Sequence, residues 1–304
     1  MEEPVNDQPR LPLSVDTYLR LLRVRDWVKN LVILLPLFFA VRIDELVLLA
    51  QGLIAVVVFC LVSSSVYIFN DMRDMEADRT HPRKKYRPLA SGAIAGTSAA
   101  ALMVVLLVSG LALSATFSPA MLPLVALYFL LNLAYSLKLK YIPIIDIFTI
   151  SAGFVIRIFV GGIVTQTYIS LWIVIMTFLL TMFMGLAKRR DDVVICIETS
   201  VEVRTVVAAY NLRFIDTALS IMAAVTIVAY IMYTVSPDVV AKFHTDKLYL
   251  TTAFVVVGIL RYLQMIFVEK KGGSPTEILL TDTFMQICVS GWLAVFGLLI
   301  YTAR

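Results

Sequence analysis

The run Asn70-Asp71-Met72-Arg73-Asp74-Met75-Glu76-Ala77-Asp78 ends a long apolar stretch with carboxylates at positions 71, 74 and 78. On a continuing helix these positions are i, i+3 and i+7 and share one face. Like charges at that spacing repel each other. The arrangement becomes favourable when a hard divalent cation sits among them, and Mg2+ takes one or two carboxylates and completes its octahedron with water and phosphate oxygens. Asp71, Asp74 and Asp78 are therefore read as metal ligands and catalytic carboxylates, with Mg2+ as cofactor. The plainer alternative, a solvated acidic helix end, explains the charges but not why they close an apolar run on one face. Tyr67 and Asn70 lie just ahead of the acids and join the candidate substrate contacts.

Directly after the acids come His81, Pro82, Arg83, Lys84, Lys85, Tyr86, Arg87, Pro88 and Leu89, closing in Ser91 and Gly92. Alone, this would be the ordinary basic loop of a membrane protein. Beside the acids it is also what a phosphate-rich ligand needs, because a metal with Arg or Lys neutralises a leaving diphosphate as its charge develops. Arg83, Lys84, Lys85 and Arg87 are taken as phosphate contacts. Arg25, Trp27, Lys29 and Asn30 add an interface anchor and further donors, of which Lys29 and Asn30 are candidate contacts.

Two ionisable groups fall inside an apolar stretch: Asp146, and Arg157 eleven residues on, close to three helical turns and so on one side of a helix. Charges within a membrane are costly and face a cavity or each other. Gly153 shares their stripe and would admit a ligand or a neighbouring helix; a purely structural network is the alternative. Lys188, Arg189, Arg190, Asp191 and Asp192 cluster at another inner edge, where the acids would supply a second metal ligand, orient a sugar hydroxyl, or simply mark an Arg-rich boundary. Lys270 and Lys271 read as solvated. No Ser/His/Asp or Cys/His pairing stands out, so an enzyme nucleophile is not indicated, and Cys60, Cys196 and Cys288 are spaced as packing residues.

The elements that must hold these groups are membrane helices. Of 304 residues 60% are apolar and 16% charged, against about 45–50% and about 25% in soluble proteins. Apolar runs of about 20 residues, enough for a hydrocarbon core roughly 30 Å thick, recur along the chain. Leu53 to Phe69 and Ile215 to Val235 are predominantly apolar, which argues for helices over the alternating strands of a barrel. Nine spans are predicted near 27–41, 46–70, 96–115, 119–137, 142–162, 169–187, 215–235, 248–267 and 279–302, giving an all-α bundle over 27–304 treated as one domain. Residues 1–26 form a tail and an interfacial helix, with Ser14 as N-cap and Val15, Tyr18, Leu19 and Leu22 as its apolar stripe. No signal peptide is expected, since residues 1 to 30 are polar and mixed in charge.

Twenty of the 26 Lys and Arg residues fall in the N-terminal segment and the loops at 71–95, 138–141, 188–214 and 268–278. The positive-inside rule makes that side cytoplasmic, with the N-terminus inside, and puts the chemistry on the cytoplasmic face of a multi-pass cell (inner or plasma) membrane protein. His81 and His244 then lie on opposite faces. A formal charge of +4 gives no reason to expect nucleic acid, while the lipid bilayer is an obligatory partner. A homo-oligomer is left open.

The series Asn70, Asp71, Asp74, Asp78, then Arg87 and Pro88, resembles the first aspartate-rich motif of the UbiA-type intramembrane prenyltransferase superfamily. The resemblance covers most of the chain and implies a nine-helix bundle that binds Mg2+-diphosphate at its cytoplasmic face. Within it, Arg25 to Asn30, Ser65 to Asp78, Arg79 to Gly92, Tyr135-Ser136 with Lys138 and Lys140, Asp146, Gly153 to Arg157 and Lys188-Arg189 are similar to the branch that uses decaprenyl-type lipids. That likeness implies transfer of 5-phosphoribosyl from phosphoribosyl diphosphate to a polyprenyl phosphate, with diphosphate released, for a cell-wall arabinose donor. It carries Tyr135, Lys138, Lys140, Asp146, Arg157, Lys188, Arg189 and Asp192 into the candidate substrate site. The second Asp-x-x-x-Asp motif of the prenyl-transferring members is absent from 188–214, which leaves any second metal site without assigned ligands. The alternatives are a prenyltransferase acting on an aromatic acceptor, which uses the same metal chemistry, and a transporter. Against the transporter, the charges crowd one face instead of the midplane.

Overall fold

The computed structural model describes residues 14–80, 84–199, 209–269, 278 and 281–303. Among these residues all regular structure is helical. The chain divides into two compact units, one of Met1–Leu139 with Ile156–Ile169 and the other of Lys140–Val155 with Ser170–Arg304.

The first unit opens with α1 (Val15–Leu22), whose N-cap Ser14 accepts the Thr17 amide and whose Asp16 pairs with Arg20 at 2.7 Å. Val15, Tyr18 and Leu19 are exposed along it, as an interfacial helix requires. A 3-10 helix over Val24–Leu34 leads into the short α2 (Leu35–Phe39). The sequence predicts a span over 27–41, and the structure builds this stretch from two helix types instead. Pro36 is the reason: it has no amide to donate and its ring clashes with the preceding turn, so an α-helix cannot run through. Then come α3 (Leu46–Arg73), α4 (Met75–Thr80), α5 (Gly96–Phe117) and α6 (Leu122–Leu137). Phe59, Val62, Val125, Tyr128, Ile156 and Val160 centre the core of this unit.

Helix α7 (Ile145–Val164) contributes its first half to the second unit and its second half to the first. The second unit continues with α8 (Leu171–Thr199), α9 (Leu212–Val235), α10 (Pro237–Phe243), α11 (Thr252–Phe267) and α12 (Thr283–Ala303). Its core gathers Ile147, Phe183, Leu219, Ile259, Tyr262 and Met265.

Seven helices among the described residues are long and apolar enough to cross a membrane, and Leu122–Leu137 is a shorter apolar one. This is a multi-pass membrane protein. Of the helices that outrun their predicted ends, two carry chemistry with them. α3 reaches Arg73 and passes through a single turn residue, Asp74, into α4, with the Asp74 and Asp78 amides still bonding four residues back. α8 runs on to Thr199, so Lys188, Arg189, Arg190, Asp191 and Asp192 sit on helix where a loop was expected. Lys and Arg are good helix formers, and the Arg189–Asp192 pair at i, i+3 supports the extension.

Candidate active site

In the first unit the acidic stripe is met by two arginines. Arg23 Nη2 donates to Asp71 Oδ1 at 2.5 Å, and Arg87 Nη1 donates to the same oxygen at 3.0 Å. Arg87 Nη1 also donates to Asp78 Oδ2 at 2.6 Å, so two carboxylates seven residues apart converge on one cationic nitrogen. Asp71 and Asp78 are buried, whereas the Arg23 and Arg87 side chains keep 23% and 26% of their surface. The chain wraps around to bring this about. Arg23 sits where α1 hands over to the 3-10 helix, and Arg87 follows the 3-10 turn Lys84–Tyr86, donating its amide to the Lys84 carbonyl. Burial pulls the Arg23 guanidinium down, but Asp71, Tyr67 and Asp26 together hold it above its ordinary value.

Asp74 takes a different partner, the Asn70 amide at 3.1 Å, and Asn70 Oδ1 is buried without a hydrogen bond. The donor set suits Mg2+: hard carboxylate oxygens, two of them aimed at one cationic point, and an orphaned amide oxygen one turn away. Among the described residues no three His, Cys, Asp or Glu groups lie close enough to hold a metal together. Arg87 stands between Asp71 and Asp78.

Deeper in the same unit, Arg157 Nε donates to Asn30 Oδ1 at 2.9 Å and Nη2 to the Tyr128 hydroxyl at 3.0 Å, with the guanidinium over the Phe59 and Tyr128 rings. Asn30 in turn donates to Cys60 Sγ and Ser63 Oγ. One turn beyond Arg157, Gly161 makes this contact possible: a Cβ there would fall 2.0 Å from the Ile33 carbonyl oxygen. Only glycine lets the 3-10 segment lie against α7 and deliver Asn30. Lys29 pairs with Asp26 at 2.5 Å, and Tyr67 carries the Arg23 guanidinium on its ring face, 4.8 Å from the centroid. Lys84 is half-buried, Lys85 is exposed beside Tyr86, Tyr135 is half-buried in the last turn of α6, and Lys138 is exposed at its end. Arg83, with His81, Lys270 and Lys271, lies outside the described residues.

The second unit holds a closed cluster. Arg189 Nε donates to Asp146 Oδ2 and Arg189 Nη1 to Asp192 Oδ2 at 2.8 Å, while the Tyr210 hydroxyl donates to Asp146 Oδ1 at 3.0 Å. The same hydroxyl accepts the Ile144 amide at 2.5 Å. Arg189 is 2% exposed and Asp146 not at all. Burial, with Asp146 adding to it, pushes the Tyr210 phenol up to about 12, so it stays a donor at any working pH. Nearby Arg190 bonds Asp216 at 2.6 Å and the Ile266 carbonyl at 2.9 Å. Lys188 is exposed, and Lys140 is buried with its ammonium 5.3 Å from the Tyr141 ring.

The sequence reading grouped Asp146 with Arg157. The helix does place them on one side, but each is engaged by partners of a different unit. Three partners of the predicted site residues are not visible in that spacing: Arg23, Tyr128 and Tyr210. Their partners stand 48, 29 and 64 residues away, and a sequence pattern of local spacing has no access to such contacts.

A model of the UbiA prenyltransferase family matches residues 31–287. A protein of Mycolicibacterium smegmatis, decaprenyl-phosphate phosphoribosyltransferase, is 31% identical over 300 residues, covering 94% of this chain and 93% of its own. A protein of the same name from Mycobacterium tuberculosis is 30% identical over 304 residues, with 98% of each chain covered. Among solved structures, a UbiA homolog from Archaeoglobus fulgidus bound to GPP and Mg2+ superposes with a TM-score of 0.67 at 18% identity, over 94% of this chain and 99% of that one.

Proposed function

The chain belongs to the UbiA prenyltransferase family, and we propose that it transfers 5-phosphoribosyl from 5-phosphoribosyl 1-diphosphate to a decaprenyl-type polyprenyl phosphate, releasing diphosphate. The observation that carries the choice of substrates is the near-full-length likeness to relatives bearing the corresponding name. In the reaction the C1–O bond to diphosphate breaks, diphosphate leaves with the electron pair, and a lipid phosphate oxygen forms the new bond to C1 from the opposite face. The transition state has oxocarbenium character, and no enzyme nucleophile takes part.

The stripe of Asp71, Asp74 and Asp78 would supply one or two carboxylates to Mg2+, with substrate phosphates and water completing its shell and Asn70 Oδ1 as a further oxygen on the same helix. When bound, the ion neutralises charge on the departing diphosphate. Arg87, bonded to Asp71 and Asp78, would bind phosphate oxygens together with Lys84 and Lys85 in the turn just before it, and Arg83 joins them by its place in the sequence. Arg157, fixed by Asn30 and Tyr128, is a buried cation for a second phosphate of the reactants. Asp146, Arg189 and Asp192 already satisfy one another, so we assign them to holding α7, α8 and the Tyr210 turn in place. The lipid tail needs no enclosed pocket because the bilayer receives it. The reaction belongs on the cytoplasmic face of the cell membrane, where the basic residues gather, and its product is an arabinose-donor precursor for the cell wall.

A second reading, prenyl transfer to an aromatic acceptor, is favoured by one observation: the Archaeoglobus fulgidus homolog of the same fold is bound to GPP and Mg2+. One experiment decides between the two. Purified protein in detergent is incubated with Mg2+, ribose-labelled phosphoribosyl diphosphate and polyprenyl phosphate, and in parallel with labelled prenyl diphosphate and an aromatic acid. Ribose label in the lipid, lost in Asp71→Ala, supports phosphoribosyl transfer, whereas prenyl label on the aromatic acid overturns it. Turnover without a second compartment also separates an enzyme from a transporter.

A further inference from the structure

Arg23 is the first clue to how the acidic stripe is kept stable before substrate arrives. Its backbone is left-handed, φ 53° and ψ 48°, at the end of α1. That position is normally taken by Gly or Asn, and an L side chain there is strained. The strain persists only where the surroundings hold it, so the side chain is the place to look for its use. Its guanidinium lies on the Tyr67 ring and bonds Asp71 Oδ1, one turn further along α3. That oxygen already receives Arg87, which serves Asp78 as well. Among the described residues, Asp71 is the one carboxylate that Arg23 bonds.

Resting on the metal-dependent reading above, we infer that Arg23 is a built-in counter-ion that competes with the divalent cation for Asp71. A buried carboxylate is costly without a positive partner. Arg23 supplies that charge from the turn between α1 and the 3-10 helix, beside Arg87 on the same oxygen. A divalent ion that takes Asp71 must displace this guanidinium or accept a positive neighbour a few ångströms away, and either requirement weakens metal binding by the chain alone. Arg23 keeps 23% of its surface and rests on the Tyr67 face as well as on Asp71. The diphosphate substrate brings the negative charge that a displaced Arg23 requires. Metal held loosely by the protein is therefore held firmly only together with substrate.

The test is the affinity of purified protein for Mn2+ alone, read by electron paramagnetic resonance in detergent, beside the melting temperature with and without the ion. Arg23→Gly, which also relieves the left-handed strain, and Arg23→Gln should both bind Mn2+ about tenfold or more tightly than wild type. Both should melt lower without metal and gain more from it, and Arg23→Lys, which keeps the charge, should stay near wild type. Equal or weaker affinity in both neutral variants overturns the inference, because a merely structural role would not raise metal affinity. If the wild type binds no Mn2+ even with phosphoribosyl diphosphate present, or binds it no less well after Asp71→Asn, the metal reading itself fails, and Arg23 has nothing to compete with.

Discussion

In each unit of this protein one arginine spans two aspartates: Arg87 joins Asp71 to Asp78, and Arg189 joins Asp146 to Asp192. The bonds are alike, but the surroundings differ. Arg189 is sealed, 2% exposed, and its acid Asp146 gains a third partner in Tyr210. Arg87 is about a quarter exposed and shares Asp71 with a second arginine, and Asn70, next to Asp71 in the chain, has a side-chain oxygen with no partner. A saturated cluster in a dry interior can only hold helices together. An over-supplied, half-open cluster can exchange one cation for another, and exchange is what binding a metal and a diphosphate requires. The difference teaches that ion-pair geometry alone does not mark a functional site; exposure and surplus partners do.

The comparison breaks first at Arg189. Arg189→Ala leaves Asp146 buried without its cation, a loss of about 3–5 kcal/mol. It should show as a large drop in melting temperature in detergent, with Mn2+ affinity of the remaining folded protein unchanged. An Arg189→Ala protein that melts like wild type but no longer turns over would move this cluster into the reaction. In the other unit the order reverses. Asp71→Asn should cut transfer on the order of 10²- to 10³-fold while moving the melting temperature little, since Arg23 and Arg87 are partly solvated. If it unfolds the protein instead, the two clusters are of one kind.

Smaller effects sharpen the picture. Gly161→Ala forces a methyl group onto the Ile33 carbonyl and should cost about 1–3 kcal/mol by overpacking, with a matching fall in turnover as Asn30 and Arg157 part. Tyr210→Phe removes a hydrogen bond to Asp146 worth about 1 kcal/mol at neutral pH. It should also change the alkaline limb. The folded phenol lies near 12 against 10.0 for a free one, so its contribution is complete below pH 10 and fades towards pH 12. Wild type should lose more stability across that window than Tyr210→Phe, as measured by melting temperature against pH.

Much of this was legible in the sequence, for identifiable reasons. Bilayer solvation writes long apolar runs into the chain, so helix positions could be read off directly, and Ser14 announced α1 by residue type. The meeting of Asp71 and Asp78 at Arg87 follows from helical spacing because α3 continues into α4 almost without interruption, whereas Asp74, in the turn between them, bonds Asn70 instead. What stayed hidden depends on tertiary contact. Arg23 ends α1 in a left-handed turn without the Gly or Asn that usually signals one, and nothing local ties it to Asp71, 48 residues on. The segment over 27–41 reads as a short span from its apolar residues alone, and Pro36 sits in the first turn of the α-helix that makes up only its later part. Asp191 and Asp192 were assigned to a loop because charge was taken to end the helix, whereas α8 carries them past the apolar part.

The central claim is that the stripe headed by Asp71 holds a divalent ion in contact with the diphosphate of the donor. It is tested most directly by Mn2+ bound to the protein with phosphoribosyl diphosphate, read by electron spin echo spectroscopy for coupling between manganese and phosphorus. The account predicts a protein-bound manganese signal with phosphorus coupling in the wild type and its loss in Asp71→Asn. Bound manganese without phosphorus coupling in the wild type, or a signal that survives Asp71→Asn unchanged, would contradict it.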